Sequence, residues 1–98
     1  MIARHWRGWT PRENAEVYER FLRQRVFPQL EQIPGHQGVW LLRRDAGSES
    51  EFIVLNLFDS LAAVRQFAGE EYGIAVIEPE AKALLCRWEE VAEHYEVR

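Results

Sequence analysis

The sequence predicts a single α+β domain in which helices cover one face of a four-stranded antiparallel sheet. Three observations carry that expectation. The chain has 98 residues, enough for one domain spanning 1–98 and no second. The run Glu-Phe-Ile-Val-Leu-Asn-Leu-Phe-Asp at 51–59 places Phe52, Val54, Asn56 and Phe58 on one face and Ile53, Leu55 and Leu57 on the other. It is apolar on both sides, which marks a central strand with material packed on each. The periodic segments then follow the order strand, helix, strand, strand, helix, strand. One helix layer covers only one face of such a sheet, so the other face calls for a partner. A second copy of the chain across a two-fold axis is the simplest.

Taken in order, Ile2 to Trp9 alternates, carries β-favouring aromatics and stops at Gly8–Pro11, as a first strand would. Thr10-Pro11-Arg12-Glu13 reads as a helix start, with Thr10 as N-cap, Pro11 at the first helical position and Glu13 closing a capping box. Ala15, Tyr18, Leu22, Val26 and Leu30, with Val17 and Phe21 beside them, form one apolar helical stripe. Pro28 falls inside that stripe and predicts a kink or break between Gln24 and Phe27. Ile33-Pro34-Gly35 ends the helix. His36 to Arg44 is the second strand, and Asp45-Ala46-Gly47-Ser48 turns it into the central strand as a hairpin. Asp59-Ser60 caps a second helix from Leu61 to about Phe67, with Val64 and Phe67 facing inward. Gly69-Glu70-Glu71 interrupts it, and Tyr72 to Ile77 reads as a further helical turn or a lid. Pro79-Glu80 reopens a short helix through Leu85, and Trp88 to Val97 is the final strand.

Composition narrows the function classes. Hydrophobic residues at 47% and charged residues at 29% describe a globular chain rather than a disordered one. A net charge of −4 and the lack of a basic run argue against nucleic-acid binding. The single cysteine, Cys86, rules out an internal disulfide and a multi-cysteine metal cluster, and its apolar helical setting predicts a buried, inert thiol. No apolar run approaches the ~20 residues that span a bilayer, and no charged leader precedes an apolar segment. A cytoplasmic protein is expected. No phosphate-binding Gly-rich loop, nucleophile elbow or carboxylate dyad is present, which removes nucleotide-dependent enzymes and serine hydrolases.

The residues that carry chemistry each have a plainer reading. His5 and His94 suit proton transfer near neutral pH, or are half-exposed strand residues bonded to neighbours. With Glu90 or Glu96 they lack the spacing of a metal site. His36, after a Pro-Gly pair, reads as a surface turn residue. Asn56 is an amide in an apolar run, and it either donates to a substrate oxyanion or bridges groups in the core or at a dimer seam. Trp6, Trp9, Trp40 and Trp88 stack on a flat ligand or pack, with Trp40 the first choice for a site. Arg7 pairs with a substrate anion or with a neighbouring acid. Tyr72 is placed to cap a pocket.

The short first strand, Thr10-Pro11-Arg12-Glu13 before a long helix, the Ile33-Pro34-Gly35-His36-Gln37-Gly38 turn, the hairpin into Phe52–Asp59 and the helix after Ser60 together resemble the antibiotic biosynthesis monooxygenase family. The resemblance covers essentially the whole chain. It implies a ferredoxin-like βαββαβ topology with the first strand between the third and fourth, and a homodimer whose sheets close into a dimeric α+β barrel. It further implies a small hydrophobic or aromatic ligand and a cofactor-independent monooxygenase acting on a small aromatic or polycyclic substrate. His94 or His5 would be the base and Asn56 the oxyanion donor. Trp40 and Phe58 would form walls, with Arg7 and Tyr72 near the substrate, all on the sheet face away from the helices. The alternative is a non-catalytic dimer of the same fold that binds a small molecule or serves as an interaction module. Haem degradation, also found in the family, is disfavoured. Members with that activity carry a histidine past the end of the second helix, where this chain has Ile77, and an asparagine on the first strand, where it has His5. No metal and no cofactor are expected.

Overall fold

The computed structural model describes residues 1–98. Its backbone is β1 (Ile2–Pro11) paired antiparallel with β3 (Glu49–Phe58) along their full lengths, from Ile2 opposite Phe58 to Pro11 opposite Glu49. β2 (His36–Ala46) adds to the far side of β3 through a tight turn in which Gly47 takes φ 63°, a conformation glycine adopts without Cβ strain. β4 (Arg87–Trp88) and β5 (Glu93–Glu96) both pair with β1. The first strand therefore lies between the third and the last, in the antiparallel α+β, ferredoxin-like arrangement expected.

Two local expectations are corrected. β1 runs on to Pro11, so Thr10 is a fully buried strand residue opposite Ser50 and its hydroxyl caps no helix. The Arg12 N–H still bonds the Ser48 carbonyl at 3.0 Å, so pairing with β3 outcompetes the capping box. A 3₁₀ turn, Arg12–Asn14, leads into α1 (Ala15–Phe21) instead. The last strand, expected to be continuous, is split. Between the β4 and β5 pairings its register against β1 steps by two residues. The bulged stretch 89–92 turns outward to bond the 69–78 segment through Ala75 N–H to Glu90 O (2.9 Å) and Ala92 N–H to Gly73 O (2.8 Å). The Trp6 indole N–H takes the Glu89 carbonyl at 2.7 Å, so the bulge leaves few backbone groups unpaired.

Pro28 has the predicted effect. It offers no N–H to the carbonyl four residues back and its ring crowds that carbonyl. The chain responds with a π turn, Leu22–Val26, in which the Phe27 N–H reaches the Leu22 carbonyl, before α2 (Phe27–Glu31) resumes. α3 (Leu61–Ala68) starts as expected on Ser60, whose hydroxyl accepts from the Ala63 N–H at 3.2 Å, and stops at Gly69 with φ 82°. α4 (Pro79–Leu84) ends one residue early because Leu85 is already extended, with ψ 142°. That leaves Cys86 exposed, contrary to expectation, with its sulfur 3.4 Å from both the Trp9 carbonyl and Glu49 Oε2. Local desolvation, and then the Glu49 hydrogen bond, push the thiol above its ordinary value, so it remains a poor nucleophile. No helix is long and apolar enough to cross a membrane.

The two faces of the sheet differ. Phe52 and Val54 pack against Tyr18, Leu22, Phe27 and Leu30, and Phe52 meets Tyr18 edge-to-face at 4.9 Å. Burying each such side chain contributes roughly 1.5–3 kcal/mol. Ile53, Leu55 and Leu57 point the other way and stay half-exposed, beside Trp40, Leu42 and Tyr95, which are exposed. Nothing within the chain covers that side.

Candidate ligand-binding site

A cavity of about 330 Å³ lies between the covered face of the sheet and the helices, at the lower end of the ~300–1,000 Å³ range of small-molecule sites. Its walls come from Tyr18, Phe21, Phe27 and Leu30 on the long helix, from Ile33 in the turn after it and from Phe67 on α3. Leu22 and Val26, the first and last residues of the π turn, also line it; the proline that breaks the helix thus shapes the wall. Residues 75–78 pass over the opening, held by the bulge in the last strand. Fourteen of the nineteen lining residues are hydrophobic, so an occupant needs a largely apolar body. The polar lining is Arg4 and Asn56 on the floor, with Gln29, Gln66 and Glu78 toward the outside.

Arg4 and Asn56 are opposite one another on β1 and β3 and both are buried. Arg4 Nη1 donates to the Tyr72 carbonyl (2.5 Å) and to His94 Nε2 (3.0 Å), and Nη2 donates to the Ile74 carbonyl (3.3 Å). The guanidinium lies 5.3 Å from the centre of the Phe67 ring, and no carboxylate pairs with it. Burial pushes its pKa down to about 10, which leaves it cationic at neutral pH. Because a guanidinium only donates, His94 Nε2 must accept, and the His94 ring is neutral with its proton on Nδ1. Desolvation, and then the Arg4 charge, lower the His94 pKa.

Asn56 Oδ1 is 2.9 Å from His36 Nε2. His36 is steered there by an edge-on contact with Phe58 (5.2 Å) and by a bulge that inserts Gln37 between its pairing and that of Gly38. With its oxygen satisfied by the imidazole, Asn56 presents its NH₂ to the cavity. The floor therefore consists of donors, a guanidinium beside an amide, inside an apolar enclosure. Such a pair attracts negative charge on oxygen.

The expected constellation is redistributed. His5 pairs with Glu93 and His94 with Arg4, and alternation along a strand puts the two histidines on opposite faces. His5 lies on the open face with one buried nitrogen unpartnered, beside Arg7, and in the cross-strand row that runs through Leu55 to Trp40. Arg7 is occupied by Glu51 (3.2 Å) and Glu89 (3.5 Å). Trp40 is 63% exposed, so neither it, His5 nor Arg7 shares a space with Asn56. Phe58 is fully buried beside His36 and does not line the cavity. Tyr72 contributes its carbonyl to Arg4 and packs edge-on against His94 at 5.1 Å. Of the residues singled out from sequence, Asn56 and Trp6 line the cavity. Arg4, Glu78 and the orienting role of His36 were missed. Arg4 shares strand parity with Trp6 and Gly8 and pairs with Asn56 across the sheet. His36 is a half-buried hydrogen-bonding residue, not a surface turn.

No three His, Cys, Asp or Glu side chains converge as metal ligands would. The lining holds neither histidine nor cysteine, and burial keeps the Tyr18 hydroxyl protonated, so these residues do not fit a haem.

No protein-family model and no curated protein matches the sequence. Among solved structures, a Bacillus cereus protein named as a candidate antibiotic biosynthesis monooxygenase is similar over 99% of this chain and 92% of its own, with a TM-score of 0.63 and 15% sequence identity. At that identity the likeness establishes a shared fold.

Proposed function

We propose that the cavity binds a small aromatic molecule bearing an acidic methylene next to a carbonyl, and that the chain is a cofactor-independent monooxygenase acting on it. The observation that carries this reading is the donor-only floor within an apolar cavity. The name given to the Bacillus cereus protein of the same fold points the same way. Asn56 Nδ2 donates to the carbonyl oxygen as it takes on enolate charge, and the Arg4 charge beside it favours the same anion. Glu78, the one carboxylate of the lining, accepts the methylene proton. His94, its Nε2 occupied by Arg4, positions the guanidinium instead of serving as base. The carbanion then gives its electrons to O₂. One oxygen atom enters the ring carbon as a carbonyl and the other leaves as water (CH₂ + O₂ → C=O + H₂O), so no outside reductant is required. A second copy of the chain covers the open face with its own Trp40, Leu42 and Tyr95, which closes the sheets into a barrel.

Oxygen consumption with an anthrone-type substrate tests the reading. The expected result is uptake above the protein-free blank that falls about 10²–10³-fold in Asn56→Ala, the loss typical of one removed oxyanion donor. Uptake that survives Asn56→Ala unchanged contradicts the mechanism. Tight binding with no uptake for any such substrate would leave the non-catalytic binder of the same fold.

A further inference from the structure

We infer that the ligand enters this cavity already charged, carrying a planar carboxylate, and that Arg4 is the residue that selects it. The inference rests on the cavity being the ligand site and specifies what that ligand must carry.

Arg4 is the chain's one buried arginine, at 4% exposure. Eight of the other ten arginines pair with a carboxylate. Acids outnumber bases in the sequence, 16 to 12, so the missing partner of Arg4 does not reflect a shortage of acids. A buried cation without a counter-charge is costly, and chains close such sites with an acid of their own unless something else fills the place. Here two carbonyls and a neutral imidazole hold the guanidinium through three hydrogen bonds. A guanidinium has five N–H donors, so two remain without an acceptor, on a residue that lines the cavity. The Asn56 NH₂ sits on the adjacent strand in register with it. Two free N–H groups on one planar cation, with an amide alongside, suit two oxygens in one plane better than a single hydroxyl. The depressed pKa of Arg4, about 10, reports the same desolvation and leaves the charge in place at neutral pH. A second copy docked on the open face cannot supply the anion, because the sheet lies between that face and Arg4.

The test compares two probes of one shape, 1-naphthoate and neutral 1-naphthamide, binding to wild type, Arg4→Lys and Arg4→Gln at neutral pH, by calorimetry. Wild type should favour naphthoate by about 10- to 100-fold, as expected for charge-assisted hydrogen bonds in a dry site. Arg4→Lys should keep part of that preference, having the charge but not the fork. Arg4→Gln should abolish it. Equal affinity of wild type for both probes overturns the role of Arg4 and spares the cavity; a preference that survives Arg4→Gln does the same. Failure of wild type to bind either probe overturns both. Should Arg4→Gln not fold, as judged by circular dichroism, the wild-type probe ratio and Arg4→Lys decide.

Discussion

Glu51 and Arg4 are buried to nearly the same extent, 6% and 4% exposed, one on each face of the same sheet, and the chain treats them in opposite ways. Glu51, on the open face, is enclosed by its own neighbours: Arg44 Nε at 2.5 Å and Arg7 Nη1 at 3.2 Å, with Arg7 also reaching Glu89. The Arg44 hydrogen bond, ahead of that from Arg7, holds the carboxyl below its ordinary range. Arg4, on the covered face, lines a cavity and receives only neutral acceptors, which leave two of its donors unbonded. A buried charge that the chain neutralises belongs to the architecture. A buried charge left for something else to neutralise marks a site. The apolar residues divide in the opposite sense, because the face with the neutralised charge is the one that exposes Trp40, Leu42 and Tyr95.

The largest expected contrast is in packing. Phe52→Ala removes a ring that is 0% exposed and meets Tyr18 edge-to-face, and should cost about 3–5 kcal/mol in urea unfolding. Trp40→Glu, at a position 63% exposed, should change the unfolding free energy of the monomer by no more than about 0.5 kcal/mol. It should also lower the mass seen in sedimentation from two chains to one. A full-sized loss of monomer stability in Trp40→Glu, or an unchanged mass, would break the distinction between the faces.

A smaller effect separates the two charges by pH. The folded pKa of Glu51 is lowered from 4.5, so its contribution is fully present above that value and is lost as pH falls through the folded pKa. Glu51→Gln should flatten the acid limb of the stability curve and leave the neutral region's slope as it was. An acid limb as steep in Glu51→Gln as in wild type would mean that Glu51 is not held by its arginines.

The smallest effect is at His94. Its pKa is lowered from 6.5, so the fold favours the neutral ring, and stability should decline as pH falls from 6.5 toward the folded value. NMR titration should give a midpoint below 6.5 for His94, moving upward in Arg4→Gln. A midpoint that Arg4→Gln leaves in place would detach His94 from the guanidinium.

Much of this architecture was legible. Two-residue alternation in 52–58 identified the central strand and grouped Asn56 with Phe52 and Val54, the residues that face the helices. Pro28 announced the helix break, and Ser60 announced the start of α3. What misled was the choice of face for the site. Nothing in the local pattern distinguishes Arg4 from the solvent-facing arginines, while Trp40 and the histidines suggest a pocket on what proves to be the open side. Residue types alone cannot say which parity of β1 faces the helices, because both His5 and Arg4 are polar. The two-residue step in the last strand depends on hydrogen bonds to Gly73 and Ala75, far away in sequence, and no local pattern encodes it. The one-residue bulge at Gln37, which brings His36 to Asn56, is equally silent.

Two indole N–H groups serve as reporters of the two faces: Trp6 lines the cavity, and Trp40 stands on the open face. A ¹H–¹⁵N titration of the protein with 1-naphthoate should shift the Trp6 indole signal and the Asn56 side-chain amide while leaving the Trp40 indole in place. Movement of Trp40 with Trp6 and Asn56 unmoved would put the ligand on the open face and contradict the account.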